Sequence, residues 1–267
     1  MPWSVSGQVS QWDSAISAAT RSYAQGNHSE AELRYIDAEK AEESFGPFDH
    51  RLAIAVNNLG ELYLREAKFA EAEPLFKRAL DIWEKGGNPS SLEVATTLNN
   101  LVALYTYQRR FEEAETIYRK SLALREQRLG PEHPEVAQSL ESLAELLLAK
   151  SQQINVDALY LRALATKKKA YGPESPATLE CSNNLAVVYS EEGKLSEAER
   201  TFNEAATLLC KQPKRNAPKL AVVFDNLASL YRREGNRRKA RKMSEKADGF
   251  RNPENSASWD PLGSDGM

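Results

Sequence analysis

The feature that most constrains this chain is a phrase that keeps returning. "VNNLGELY" begins at Val56, "LNNLVALY" at Leu98, "SNNLAVVY" at Ser182 and "FDNLASLY" at Phe224, with a worn copy, "LESLAELL", at Leu140. Leu59, Leu101, Leu143, Leu185 and Leu227 therefore stand 42 residues apart without an insertion or deletion. Tyr63, Tyr105, Tyr189 and Tyr231 keep the same step, with Leu147 in the missing place. So do Ala72, Ala114, Ala198 and Ala240, with Val156 in the worn copy. A constant step of this size signals a stack of supersecondary units, each unable to bury its apolar face alone. A weaker unit covers roughly Ser10 to Ser44, where "GNHSEAELRYIDA" echoes "AKFAEAEPLFKRA" with its turn one residue out of register.

Each unit reads as two helices. From Leu92, residues Leu98, Leu101, Val102 and Tyr105 fall on one helical stripe. A second amphipathic run follows, with Phe111, Ala114, Ile117, Tyr118, Ser121 and Leu122 as its buried positions. The turn between the two holds Gly193 in one copy and Gly235 in another, where a left-handed residue is easiest for glycine. Between units, "FGPFDHRL", "LGPEHPEV" and "YGPESPAT" place glycine at a helix end and proline just beyond. Pro134, Pro176 and Pro218 are expected to open the next helix, where a missing N–H costs nothing. Asp49, Ser91 and Ser175 stand one residue ahead as caps, while His133 and Ala217 in the same place are poorer ones. The expected layout is a flexible N-terminus over 1–9 and a repeat array over 10–250. Its degenerate first unit spans 10–48, later units start near 49, 91, 133, 175 and 217, and a disordered tail covers 251–267.

This unit resembles the tetratricopeptide repeat in its longer form, and "TLNNLVALYTYQRRFEEAETIYRKSLALREQRLGPEHPEVA" is similar to the repeats of kinesin light chains. The first 50 residues lack the sustained heptads that precede those repeats in kinesin light chains, so the resemblance is to the repeats alone. It implies an all-α, right-handed solenoid of stacked helix-turn-helix units whose first helices line a concave surface.

On that implied surface the adjacent asparagines acquire meaning. At 100° per residue, Asn100 points almost directly away from the apolar sector of its helix, and Asn99 lies on the flank. Asn58, Asn100, Asn184 and Asn226 would then form a ladder along the groove, with Glu61, Arg65, Tyr107, Glu145, Glu191 and Arg233 on the same strips. A primary amide can pair with the N–H and C=O of an extended peptide together. The alternative stays open that each asparagine satisfies the interface between repeats. The flanking Asn57, Asn99 and Asn183 are read as structural. Glu61, Glu145, Glu180 and Glu191 against Arg65 and Arg233 either favour a ligand with positive charge or are ordinary solvated residues. Only the last strip approaches the basic pattern of a clamp for acidic tails.

Catalysis finds no constellation. His28, His50 and His133 sit at a turn and two junctions, away from any partner cysteine or serine, and no metal or other cofactor is expected. The recurring "EAE" at Glu71 and Glu73, Glu113 and Glu115, and Glu197 and Glu199 diverges by about 200° around a helix. Such pairs cannot share a proton, and they read as a solvated face with i,i+4 partners such as Lys77. Cys181 and Cys210 read as small buried hydrophobes. With 35 basic against 38 acidic residues the chain has no general attraction to nucleic acid or an anionic membrane. "MPWSVSGQVSQW" lacks the basic-then-apolar order of a leader, and "LAELLLA" is too short to span a bilayer. A cytoplasmic setting is expected.

The last unit departs from this balance: Arg232, Arg233, Arg237, Arg238, Lys239, Arg241 and Lys242 fall within eleven residues. A polar cap on a terminal repeat explains them, and so does a phosphate-bearing partner. Trp259 followed by Asp260 in the polar tail suggests a short motif able to dock in the groove. The expected function is a non-catalytic scaffold or adaptor holding a peptide or helix of a partner protein along the concave face. The alternatives are nucleic-acid or anionic-lipid binding through the basic last unit, and an accessory subunit of an enzyme.

Overall fold

The computed structural model describes residues 5–42, 47–87, 91–151 and 155–251. These hold twelve α-helices, and no strand occurs among the described residues. One compact unit, Met1–Pro131, contains α1 (Val5–Ala24), α2 (His28–Glu42), α3 (His50–Arg65), α4 (Phe69–Lys85), α5 (Leu92–Tyr107) and α6 (Phe111–Leu129). The other, Glu132–Met267, contains α7 (Pro134–Ala149), α8 (Val156–Tyr171), α9 (Pro176–Glu191), α10 (Leu195–Leu209), α11 (Pro213–Arg233) and α12 (Arg237–Arg251). Within each unit consecutive helices pack on one another, and first helices also meet, α3 on α5 and α9 on α11. The expected boundary at residue 10 falls inside α1, and the Trp259 motif lies outside the described residues.

The 42-residue step is the packing step. Leu59, Leu101, Leu143, Leu185 and Leu227 are all buried, none more than 4% exposed. In the first unit Leu52, Val56, Ile82, Trp83, Val94 and Leu98 draw three successive helices into one cluster. Gly60 makes room in that unit: a Cβ there would lie 2.9 Å from Phe76 Cε1, so the ring occupies space that other copies give to Val102 or Ala144.

The turns inside the helix pairs are more uniform than their residues suggest. Gly193 and Gly235 have φ of 78° and 76°, as expected for glycine. Ala67, Arg109 and Ser151 occupy the same register and take the same left-handed conformation, with φ of 57°, 59° and 61°. Stacking geometry therefore imposes the turn, and a side chain there carries roughly 1–2 kcal/mol of backbone cost. Gly26, at φ 75°, confirms the one-residue offset of the first pair.

Asp49, Ser91 and Ser175 cap α3, α5 and α9 by accepting from Arg51, Val94 and Thr178 N–H at 2.9, 3.3 and 3.2 Å. His133 does more than expected, since its Nδ1 accepts from Glu135 N–H at 3.2 Å. Pro134 and Pro176 open α7 and α9. Pro218 does not open a helix: α11 begins five residues earlier, at Pro213, and carries Pro218 inside it. The reason is local, because "CKQPKRNAP" has no glycine to stop and turn the chain, and Pro213 already supplies a fixed φ. The last pair thus starts before 217, and Ala217 is no cap.

The "EAE" carboxylates also need correction. Glu73 does pair with Lys77 at 2.6 Å, yet it also receives the Tyr105 hydroxyl at 3.1 Å and Arg110 at 2.8 Å from the next helix pair. Tyr231 donates to Glu199 at 2.5 Å, with Lys239 also on Glu199 at 3.1 Å. Tyr63 donates to Glu32 at 2.6 Å, and Lys194 meets Asp157, the residue in the Glu73 register, at 2.5 Å. Each tyrosine ring lies under a cation, Lys68, Arg110, Lys194 or Lys239, at 4.1 to 5.6 Å from its centroid. Glu73 and Glu199 are thus acceptors between repeats rather than solvated residues, while Glu115 takes Arg119 of its own helix at 2.9 Å.

Candidate functional site

First helices carry every candidate groove residue, because their apolar stripe is turned to the second helices and the opposite strip is left over. Two of the asparagines spend part of their amide on the neighbouring repeat. Asn100 Nδ2 donates to Asn57 Oδ1 at 3.2 Å, and Asn226 Nδ2 donates to Asn183 Oδ1 at 2.9 Å. Asn57 in turn donates to Asn58 Oδ1 at 3.4 Å. The flanking Asn99 places its Oδ1 2.7 Å from the Ser121 hydroxyl, on the second helix of its own pair. Asn184 makes no hydrogen bond through its side chain among the described residues, and Asn100 retains its carbonyl oxygen.

In the worn copy the flanking place belongs to Glu141, which is buried and paired with the equally buried Lys167 of α8. In the last copy Asp225 meets Arg251 of α12. The same register position therefore ties a first helix to its surroundings whatever polar group it carries.

Four of the expected site residues converge in the first unit. Glu61, Arg65, Asn100 and Tyr107 line one groove of about 700 Å³ together with Leu64, Phe69 and Ala103. Arg65 bonds to Glu61 at 3.0 Å and lies 5.4 Å from the Tyr23 ring centre. Tyr107 stacks on Phe69 with centroids 6.0 Å apart and planes 17° from parallel, yet it remains 69% exposed. An exposed aromatic face, an unused amide oxygen and an ion pair on an apolar floor can hold a peptide backbone and one side chain. Asn58 lies outside this lining, as an acceptor for Asn57.

The second unit has a smaller cavity of about 430 Å³, lined by Glu180, Asn183, Asn184, Lys219 and Val222 over Leu179 and Leu209. Glu145 is exposed and lies outside that lining. Glu191 is exposed, and Arg233 turns to the Ser190 hydroxyl at 3.4 Å. Neither lines that cavity. Phe69 and Lys219 lie off the expected strips, although Phe69 shares its register with Phe111 and Leu195 and is traceable that way.

Cys181 is buried, and burial pushes its thiol well above the usual range, as suits a packed side chain rather than a nucleophile. Among the described residues no cluster of His, Cys, Asp and Glu could hold a metal ion. No described helix is long and apolar enough to cross a membrane.

Family models described as tetratricopeptide repeat match residues 17–85 and 157–211 in one case and 94–135 in the other. The chain belongs to the tetratricopeptide repeat family. This tetratricopeptide repeat protein is similar in fold to BtubC (BKLC) from P. vanneervenii, at 20% identity and a TM-score of 0.65, with 97% of each chain covered. It is also similar to the nearly identical TPR-like repeats of a putative kinesin light chain from Podosopora anserina. There the identity is 21% and the TM-score 0.67, over 78% of this chain and 98% of that one. YrrB, a TPR protein with an unusual peptide-binding site, shares 20% identity at a TM-score of 0.55, over 79% of this chain and 90% of that one. At these identities the likeness is one of fold. No curated protein matches the chain by sequence.

Proposed function

We propose that this tetratricopeptide repeat protein is a non-catalytic adaptor that holds a peptide segment of a partner protein in the groove of its first unit. The observation that carries this reading is the convergence of Glu61, Arg65, Asn100 and Tyr107 on one groove beside Leu64 and Phe69. Asn100 contributes its carbonyl oxygen to a ligand N–H while its amide group stays fixed to Asn57. Tyr107 supplies rigid, exposed aromatic area, the kind of side chain that dominates interface energetics. Asn184 and the cavity beside it offer the second unit's contact. YrrB, similar in fold, has a peptide-binding site of its own, which is in keeping with this.

The test uses peptides selected from a random display library on the intact chain, then measured by fluorescence anisotropy. Tyr107→Ala should weaken them by about tenfold or more, the scale of a hot-spot residue. Because Tyr107 is largely exposed, the melting temperature should stay where it is. Selected peptides that bind Tyr107→Ala and Arg65→Ala as well as the natural chain would rule this groove out.

A further inference from the structure

We propose that the outward face of the α11–α12 turn is a docking surface for a short, carboxylate-rich segment of a partner polypeptide. It is separate from the groove and does not depend on it. Between residues 211 and 251 thirteen basic residues stand against four acidic ones, whereas the rest of the chain has 22 against 34. The excess is concentrated where it is electrostatically worst for the fold. Every earlier second helix opens with an acid in its first turn: Glu30, Glu71, Glu112, Asp157 and Glu197 for α2, α4, α6, α8 and α10. That placement favours the helix dipole. In α12 the first turn has no acid and carries Arg237, Arg238 and Lys239 instead. Arg237 with Arg241, and Arg238 with Lys242, are like-charged pairs at i,i+4, a destabilising arrangement.

A cap on the last repeat needs polarity, which glutamates would supply without these costs. Lys239 is occupied by Glu199 and Arg241 by Glu245, but Arg237, Arg238 and Lys242 have no partner among the described residues. All three are exposed. Guanidinium groups fork onto carboxylates through two parallel hydrogen bonds.

The shape of the patch selects the anion. Residues 237 to 242 extend over only about 9 Å of helix. Beyond that stretch α12 is charge-balanced, with Glu245 and Asp248 against Lys246 and Arg251, so a long polyanion gains nothing by extending along it. None of the large exposed hydrophobic side chains lies on α12. Among the described residues the face therefore has no ring on which bases could stack and no anchor for a membrane interface. A run of a few Asp or Glu side chains fits it.

The experiment uses the full chain and a fluorescein-labelled hexaglutamate peptide as probe, with Arg238→Glu/Lys242→Glu as the variant. The natural chain should bind in low salt and lose affinity as salt is raised, because the contact is exposed charge. The double variant should bind at least about tenfold more weakly while melting at no lower a temperature, since an acid enters the first turn of α12. Tyr107→Ala should leave this binding intact, which separates the patch from the groove. Absence of binding, or equal binding by the double variant, would overturn the proposal and leave a solubility cap. Binding of duplex RNA or phosphatidylserine vesicles without binding of hexaglutamate would overturn it in favour of a general polyanion surface.

Discussion

Arg109 shows at the scale of one residue how the stack overrides local preference. Its backbone takes φ 59° although a side chain disfavours that region, because its register partners Gly193 and Gly235 turn the chain in the same way. Its side chain is exposed, so removal loses little else. Arg109→Gly should therefore raise stability by roughly 0.5–1 kcal/mol, the left-handed strain less the added entropy of glycine in the unfolded chain. Urea denaturation checks the sign. Gly60 works in the opposite sense, since Gly60→Ala would press a Cβ into the Phe76 ring and should lower the denaturation midpoint.

Between elements, polar ties run from one helix pair to the next. Lys77 first, and then Arg110 and Tyr105, hold the Glu73 carboxyl below its ordinary range despite some burial. Tyr231 first and Lys239 second do the same for Glu199, and Lys194 does it for Asp157. A depressed carboxyl stabilises the fold above its unfolded pKa, and that share disappears as pH falls through the folded value. Burial, and then the bond to Glu32, push the Tyr63 phenol from 10.0 up to about 12. Its share is complete below pH 10 and is lost as pH rises from there toward about 12. Thermal melts across pH should show a plateau falling at both ends, and Glu73→Gln should flatten the acid edge. The Glu141–Lys167 pair gives a sharper contrast, as both are buried. Lys167→Met alone strands a buried carboxylate and should cost about 3–5 kcal/mol, whereas Glu141→Leu/Lys167→Met should recover most of it.

Across the molecule, energy is distributed between neighbours. Leu101 is 2% exposed in the middle of the first unit, so Leu101→Ala should cost about 2–5 kcal/mol. Because each helix packs on its sequence neighbours within a unit, the loss should fall off with distance along the chain. Hydrogen exchange is the measurement: amides of α3 to α6 should speed up most, and those of α9 to α12 least. Acceleration of α1 equal to that of α5 and α6 would contradict nearest-neighbour interfaces within the first unit.

The repeat, its two helices and its buried stripe were legible in the sequence because they follow from periodicity, and periodicity depends only on spacing along the chain. The caps at Asp49, Ser91 and Ser175 were legible for the same reason, each acting within three residues. Three things were not legible. Whether Asn100 faces a ligand or its neighbour turns on Asn57, 43 residues away; the fold gives the amide group to Asn57 and leaves the oxygen free. Glu73 has the spacing of a solvated residue, but the fold brings Tyr105, 32 residues on, against it. Pro218 has the pattern of a helix start, yet α11 begins at Pro213 and carries Pro218 inside it. Spacing along one helix told which side chains share a face. Only the packing of separate helices decided which polar groups on that face were already bonded and which were left for something else.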